Sequence, residues 1–421
     1  MKYLRIMLMA FLASVLAACG GGGDSTATTS AKGTLSVKLT DAPASAYEQV
    51  VVTINEVRVH RSDTAEEGDG GWESLDVGEG VLPLQVDLLD LRNGVLASLG
   101  DIELEAGQYS QIRLVLAENP RNGNGQLANY VVVRVDETTT ETHPLTTPSA
   151  QQSGVKLIHP FEVPDGKKVE LVLDFDAARS VVKAGNSGQY LLKPTIAVIA
   201  TVVGEEVVNA EFGGAFAGDD IALADGASVS LQAVDPDGKV TVVRAGVVEA
   251  DGTWNLTPVP AGTGYNLVVT KPGFRTAVVT GIDLAEGDVV AVPSFPLVAL
   301  GADATEIAAN TALVDGAVDS AAAVTVQALN KLDGGNAVEI AFATVAEGEG
   351  AFAMSLPALA PMVAPYVAGE APAFLSMGEP ALHDFVAAGT IGTAAVAGAA
   401  TDVTLTGGDA TNVVDIPLAE I

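Results

Sequence analysis

The sequence predicts an all-β protein built from tandem antiparallel β-sandwiches. Valine, alanine and glycine are frequent, while aromatic residues make up only 5% of the chain. Short stretches in which apolar and polar residues alternate recur along the sequence, and Gly, Asp, Asn and Pro separate them. Alternation with a period of two is typical of strands with one buried face, and these separators are typical of turns. At 421 residues the chain is long enough for two or three such domains.

The strong negative charge excludes one class of partner. The net charge is −32, and most of it lies after residue 200, where 28 acidic residues accompany only 5 basic ones. Such a surface repels phosphate, so we expect no nucleic-acid partner, and it does not adsorb to anionic lipid by charge. Solubility is one interpretation of this acidity, and weak binding of a divalent cation is the other, because carboxylate oxygens are hard ligands.

Residues 1–18 have the layout of a signal peptide. Lys2 and Arg5 precede an apolar stretch at 6–16, which is too short to span a bilayer comfortably. The stretch LAACGGGG (16–23) follows and contains Cys19, the only cysteine. It resembles the lipobox of bacterial lipoproteins, which implies cleavage after Ala18 and a lipid on the Cys19 sulfur. The alternative is an ordinary signal peptide that happens to contain a cysteine.

Residues 19–33, rich in Gly, Ser and Thr, predict a flexible tether between the lipid and the first strand. Gly20 rather than aspartate follows the cysteine. For a lipoprotein of a double-membrane bacterium, that resemblance implies the outer membrane, and it leaves open whether the protein faces the periplasm or the cell surface. A lipidated Cys19 leaves no disulfide, so the folded part depends on its apolar cores.

The first predicted domain is a β-sandwich at 34–203. Alternating apolar residues predict strands near 35–39, 50–59, 112–116, 131–135 and 169–175. The alternation slips by one residue near Asn55, which predicts a bulge. Only the segment 88–100, LLDLRNGVLASLG, favours a short helix or an irregular crossover.

Several spaced motifs of this region resemble one known family. They are LTDAP (39–43), DLLDL (87–91), AGQYSQIRL (106–114), DFDA (174–177) with SVV (180–182), and YLLKP (190–194). Together and in this order they resemble domain of unknown function 4382, found in bacterial lipoproteins. The resemblance implies a β-rich fold in the cell envelope and brings no established activity.

Three acids of this domain are the candidate cation ligands: Asp41, Asp174 and Asp176. Asp174 and Asp176 are two residues apart on one strand, so both side chains lie on the same face. They could bind Ca²⁺ if Asp41 approached them. They could equally pair with Arg113 or Arg179, or face solvent, and these interpretations stay open.

The sequence contains no pattern typical of catalysis. The four histidines are scattered without a metal-ligand spacing: His60, His143, His159 and His383. There is no nucleophile elbow of the form Gly-x-Ser-x-Gly and no phosphate-binding glycine loop. We therefore predict no catalytic residue, no metal site and no cofactor, with Ca²⁺ as the only ion to consider.

The second predicted domain, 204–300, carries the motifs DGTW (251–254), AGTGY (261–265) and PGF (272–274). Their order resembles the carboxypeptidase-regulatory-like, or prealbumin-like, sandwich, a non-catalytic module. The segment DPDG (235–238) predicts a turn. It does not fit an EF-hand loop, because Gly246 stands where that loop needs a glutamate.

The third predicted domain, 301–421, is a degenerate copy of the second. Seven of nineteen residues are identical between 280–298 and 401–419, and ASVSLQAVDPDG (227–238) is similar to AAVTVQALNKLDGG (322–335). A repeat of this length indicates tandem sandwiches. The copy has EGAF (349–352) in place of DGTW and an inserted segment near 356–380. The apolar residues there predict loose core packing or a partner-facing patch: Met354, Met362, Tyr366, Phe374 and Met377.

These observations predict a non-catalytic, lipid-anchored envelope protein that binds an unknown protein or glycan partner or has a structural role. The alternative is a metal-dependent hydrolase or a calcium-binding adhesin that uses the acids of the first domain. Convergence of Asp41, Asp174 and Asp176 in a cleft would favour the alternative.

Overall fold

A computed structural model describes residues 31–42, 47–75, 83–120, 125–136, 138–147, 154–184, 188–203, 206–207, 209–377 and 381–421. Strands contain 58% of the residues and helices 5%, which confirms the predicted all-β class. The strands form antiparallel-rich sheets that group into three sandwiches along the chain. Each sandwich surrounds its own cluster of buried apolar side chains.

The first sandwich packs a five-stranded sheet of order β14-β13-β10-β1-β5 against a nine-stranded sheet. The larger sheet runs β11-β12-β8-β7-β2-β6-β9, and β3 and β4 also pair with β2. The strands are β1 Lys32–Ala42, β2 Gln49–His60, β3 Glu73–Ser74, β4 Leu84–Asp87, β5 Ala97–Glu105, β6 Gly107–Leu116, β7 Tyr130–Arg134, β8 Thr140–Thr146, β9 Val155–Val163, β10 Lys168–Asp176, β11 Val181–Ala184, β12 Gln189–Leu192, β13 Ile196–Val203 and β14 Glu206–Val207.

The predicted alternation positions the core of this sandwich. The apolar residues of β1 and β10 are buried at every second position, from Leu35 to Leu39 and from Val169 to Phe175. The pairing of β2 with β6 shifts register between Ile54 and Glu56, which confirms the bulge predicted at Asn55. Helix α1 spans Ala177–Ser180 and directly follows β10.

The segment 88–100, predicted as a short helix or an irregular crossover, combines a short helix, a turn and the start of a strand. A 3₁₀ helix covers only Leu88–Leu91, and strand β5 begins at Ala97. Asn93 and Gly94 both adopt positive φ between the two elements. These two residues form a turn, after which the chain pairs with β1 as the edge strand β5.

The second sandwich contains a four-stranded sheet, β18-β15-β19 with β22 on β15, and a six-stranded sheet, β17-β16-β20-β21-β27-β28. Helix α2 is Asp220–Ala224. The strands are β15 Asn209–Ala215, β16 Ser228–Val234, β17 Val240–Val247, β18 Thr253–Asn255, β19 Val259–Pro260, β20 Gly262–Thr270, β21 Ala277–Leu284, β22 Val289–Val292, β27 Met362–Pro365 and β28 Leu375–Ser376.

The third sandwich contains the sheets β26-β23-β31 and β25-β24-β29-β30-β32. Helix α3 is Ala304–Ala309. The strands are β23 Thr311–Ala317, β24 Ala322–Lys331, β25 Ala337–Val345, β26 Ala351–Pro357, β29 Leu382–Ile391, β30 Ala394–Thr404, β31 Thr411–Asp415 and β32 Ala419–Glu420.

The second and third sandwiches share a strand order. The order β17-β16-β20-β21 matches β25-β24-β29-β30, and β18-β15-β22 matches β26-β23-β31 with the same parallel pairing at one edge. Both contain a glycine opposite an aromatic residue: Gly214 faces Trp254, and Gly316 faces Phe352. A Cβ on Gly316 would lie 1.9 Å from the Phe352 ring, so the aromatic ring occupies the space above the glycine.

The inserted segment of the third region packs against the second sandwich. Strand β27 extends the second sandwich's sheet by pairing in parallel with β21. Tyr366 and Phe374 contact the second core, and the Phe374 ring lies 5.2 Å from that of Phe295. Met354 is buried in the third core instead. These apolar residues pack internally, across a sandwich boundary.

No helix in the described part of the chain is both long enough and apolar enough to span a bilayer.

Candidate functional site at the junction of the sandwiches

Strands β1 and β10 carry all three predicted acids and run in parallel within one sheet. Asp41 lies opposite Phe175, and Thr40 lies opposite Asp174. Residues opposite each other in a sheet share a face, so Asp41 is on the core side and Asp174 and Asp176 are on the other side. The sheet therefore separates Asp41 from the other two acids.

Asp41 is a fully buried carboxyl group at the end of β1. Its Oδ1 accepts a hydrogen bond of 2.9 Å from the Ala177 backbone N–H at the start of α1, and its Oδ2 has no hydrogen-bond partner. Burial raises the pKa of Asp41 well above its usual range, and the nearby acids Asp176 and Asp174 raise it further. A buried acid in this setting favours its neutral form.

Asp174 pairs with an arginine from the second sandwich. Arg244 of β17 is 1% exposed, and its Nη1 lies 2.5 Å from Asp174 Oδ2. The Arg244 Nε also donates to the Leu256 carbonyl at 3.1 Å. A lone buried charge is costly, so the loss of either residue would leave an unfavourable unpaired charge inside the protein.

Arg179 of α1 connects the first sandwich to the third. Its Nε lies 3.0 Å from Asp176 Oδ2, and its Nη2 pairs closely with Glu339 Oε1 of β25. The guanidinium carbon lies 4.0 Å from the centre of the Phe342 ring, also on β25. Asp176 in addition accepts a hydrogen bond from the Arg179 backbone N–H at 2.9 Å, which fixes the start of α1.

Glu339 joins all three sandwiches. Its backbone N–H donates to Gln232 Oε1 at 2.8 Å, and Gln232 Nε2 of β16 donates to the Glu339 carbonyl at 2.8 Å. The Gln232 amide thus pairs with the edge of β25 as a neighbouring strand would. Gln327 of β24 donates a close hydrogen bond to the second carboxylate oxygen of Glu339.

The pKa of Asp176 rises to about 6, because burial outweighs the opposing effect of the Arg179 guanidinium and the hydrogen bond from its backbone. A carboxyl group with a raised pKa at the wall of a cavity is a typical candidate for acid–base chemistry. The cavity beside Asp176 measures about 280 Å³ and is also lined by Asp174, Arg179, Lys239 and Arg244. Its acids face three cations, so the lining is close to neutral.

This arrangement differs from a cation site. In the described residues, no group of three or more His, Cys, Asp or Glu side chains is placed to hold a metal ion. Ca²⁺ needs six to eight oxygen ligands, whereas the guanidinium groups of Arg179 and Arg244 contact the Asp176 and Asp174 carboxylates directly. The geometry serves instead to hold charged groups of three sandwiches together.

Of the two arginines that the sequence offered as partners for the acids, Arg179 pairs with Asp176. Arg113 donates to the Ala65 carbonyl at 2.8 Å and stacks on Trp72, 4.7 Å from the ring centre. The predicted DPDG turn is confirmed, because the Gly238 N–H donates to the Asp235 carbonyl at 2.9 Å. The predicted lipidation residue Cys19, with the predicted signal peptide and most of the predicted tether, lies outside the described residues.

Sequence reasoning missed Arg244 and Glu339. Arg244 carries one available signal, since it is one of only 5 basic residues after position 200 and stands in an apolar strand. An arginine there implies a buried acidic partner. Glu339 gives no such signal, because it is one of 28 acids in the same half of the chain.

Comparison with known proteins identifies one part of the chain. Residues 32–194 match the family described as Domain of unknown function (DUF4382). No curated protein matches the chain. The match covers the first sandwich from β1 through β12, including Asp41, Asp174, Asp176 and Arg179, and it ends before β13 and before the partners Arg244 and Glu339. Residues 32–194 of the first sandwich therefore form a DUF4382 domain.

Proposed function

We propose that this protein is a non-catalytic, lipid-anchored protein of the bacterial outer membrane. In this proposal Cys19 carries the lipid and residues 19–33 form the tether. The DUF4382 sandwich is followed by two carboxypeptidase-regulatory-like sandwiches, the third a degenerate copy of the second. The folded part is a structural or binding module that is held in one arrangement by ion pairs.

One observation carries the non-catalytic part of the proposal. The acids that would serve a hydrolase or a calcium site instead neutralise arginines at the sandwich junction: Asp174 pairs with Arg244, and Asp176 and Glu339 share Arg179. A carboxylate oxygen that contacts a guanidinium is not open to coordinate a cation or to contact a substrate.

Lipidation is tested by labelling growing cells with a palmitate analogue. The proposal predicts label on the wild-type protein and none on Cys19→Ser, with the Cys19→Ser chain retaining residues 1–18. A control variant, Ser25→Ala, changes the tether without touching the cysteine and keeps the label. Equal labelling of the wild type and Cys19→Ser contradicts the anchor.

The calcium-binding alternative is tested by heating the purified protein with Ca²⁺ and with a chelator. A ligand that binds only the folded state raises the melting temperature. We expect the same melting temperature in both conditions. If Ca²⁺ raises the melting temperature of the wild type but not of Asp174→Asn, the junction contains a cation site.

A further inference from the structure

The second and third sandwiches enclose a cleft that no ion pair of the junction fills. It measures about 700 Å³, within the usual range for sites that bind small molecules. The second sandwich contributes Thr270, Phe274 and Thr276, and the third contributes Ile340 and Leu356. A neighbouring cavity of about 430 Å³ shares Ser228, Thr270, Ile340 and Ala341 with it, so the two spaces adjoin.

The side chains that line this cleft are uncharged, with one exception. The exception is Lys271, whose ammonium group donates to the carbonyls of Leu223 and Asp225 at 2.7 and 2.8 Å. In a protein with a net charge of −32, a cleft lined without a single carboxylate stands out from the surrounding surface. Apart from Lys271, it offers no charged partner to a ligand.

The lining combines hydroxyl groups with apolar side chains. The hydroxyl residues are Ser228, Thr270, Thr276, Thr311 and Ser355, and the largest apolar residues are Phe274, Ile340, Leu300 and Leu356. Thr276 is 1% exposed, and its Oγ1 has no hydrogen-bond partner. A buried hydroxyl without a partner is unfavourable, so a ligand hydroxyl that pairs with it in the cleft would be stabilised.

We propose that this cleft binds a short neutral saccharide. Sugar hydroxyls pair with the serine and threonine hydroxyls, and the apolar faces of pyranose rings pack on Phe274 and Ile340. This inference specifies the ligand of the binding module proposed above and rests on that proposal. Lipidation of Cys19 and the ion pairs of the junction do not depend on it.

The test is saturation-transfer NMR of the purified protein with maltotriose, cellotriose and triacetylchitotriose, each titrated into the low millimolar range. We expect saturable binding of at least one trisaccharide. Ser228→Phe fills the cleft and should weaken that binding at least about tenfold, whereas Ser98→Phe, on an exposed position of β5, should leave it unchanged. Absence of saturable binding by all three sugars overturns the inference, as does equal binding by Ser228→Phe.

Thr276 provides a second, more local test. Thr276→Val keeps the shape and removes the hydroxyl, so it should weaken the bound sugar, while Thr276→Ser should restore most of the affinity. If Thr276→Val leaves the affinity unchanged, the hydroxyl has no role in binding and the inference loses its main polar contact. The spectra also separate this inference from the proposed function, since new reducing-end signals would reveal sugar hydrolysis and contradict the non-catalytic proposal.

Discussion

Strands β17 and β25 occupy the same place in the second and third sandwiches, at one edge of sheets with the same order. Both pair with the next strand through a register shift, at Leu231/Gln232 and at Ala328/Leu329. Yet β17 carries Arg244 and β25 carries Glu339, and both side chains reach the end of β10 and α1 in the first sandwich. Two sandwiches with the same strand order thus present opposite charges to the first sandwich.

The first sandwich is complementary to both copies. It offers Asp174 to the arginine of the second and Arg179 to the glutamate of the third. Exchanging the two sandwiches would place like charges together, which is unfavourable in a buried site. The comparison teaches that two sandwiches with the same strand order can carry opposite charges where they contact a common neighbour.

The largest expected effect comes from breaking the pair with the second sandwich. Arg244→Met leaves the Asp174 carboxylate buried without its cation and should lower the free energy of unfolding by about 3–5 kcal/mol. Urea unfolding followed by Trp254 fluorescence measures this loss. The control, Lys32→Met, removes an exposed pair with Glu103 and should change stability little. An Arg244→Met curve that overlays the wild type would contradict a stabilising junction.

Lowering the pH should destabilise the third sandwich and not the second, because the two carry different residues just before a bulge that they share. Tyr265 of β20 lies opposite Ile282, and His383 of β29 lies opposite Val403. The residues that precede these partners, Gly281 and Asp402, both have positive φ. Burial lowers the pKa of His383 to about 4. The unfolded histidine binds its proton near pH 6.5, so stability is full above that pH and is lost as the pH falls towards 4.

We therefore expect the third sandwich to lose up to about 3 kcal/mol between pH 6.5 and 4, while Tyr265 stays neutral over that range. Hydrogen exchange of β24 and β29 amides against those of β16 and β20 measures the difference. His383→Phe should abolish the acid sensitivity. If the third sandwich of His383→Phe still loses protection as in the wild type, another group is responsible.

Weakening the pair with the third sandwich should have a smaller effect. Glu339→Gln keeps the shape of the side chain but removes its charge and one of its two acceptor oxygens, and Arg179 retains Asp176 as a partner. We expect a loss of about 1–3 kcal/mol. The measurement is hydrogen exchange of β25 amides, with Glu420→Gln on the exposed strand β32 as the matched control. Faster exchange in both variants would mean that general charge, and not the pair, stabilises β25.

Exchanging the aromatic residues that cover the paired glycines should have the smallest effect. Trp254→Phe leaves unfilled space beside Gly214 and should lower the stability by about 1–2 kcal/mol. Phe352→Trp adds volume above Gly316 and should lower it by about 1–3 kcal/mol through overpacking. Thermal unfolding of the two variants measures both losses. A stabilised Phe352→Trp would show that the third core is loosely packed.

The sequence predicted where the strands lie better than it predicted which strands pair. Period-two alternation reports which face of a strand is buried, so Leu35 to Leu39 and Val169 to Phe175 were predictable, as was the bulge at Asn55. Segment 88–100 was predicted only as a short helix or an irregular crossover, because LLDLRNGVL has an apolar pattern that suits either, so the turn at Asn93 and Gly94 was not placed. The parallel pairing of β27 with β21 was missed, since it joins segments more than 80 residues apart.

The candidate site was predicted only in part, for a physical reason. Alternation correctly placed Asp174 and Asp176 on one face of β10, but it could not show that Asp41 of β1 lies on the opposite side of the sheet. That depends on the register between two strands far apart in sequence. Arg244 and Glu339 were missed because contacts between sandwiches leave no periodic signal within either one.

We expect charged side chains of the first sandwich to stabilise its neighbours through ion pairs. The most direct test uses Trp72→Phe, in which Trp254 is the remaining tryptophan and reports the second sandwich. In this background Asp174→Asn, a change in the first sandwich alone, should lower the urea midpoint seen by Trp254. In Arg244→Met the same change removes an unpaired buried carboxylate, so there it should raise the midpoint. An unchanged Trp254 midpoint in Asp174→Asn would contradict the claim.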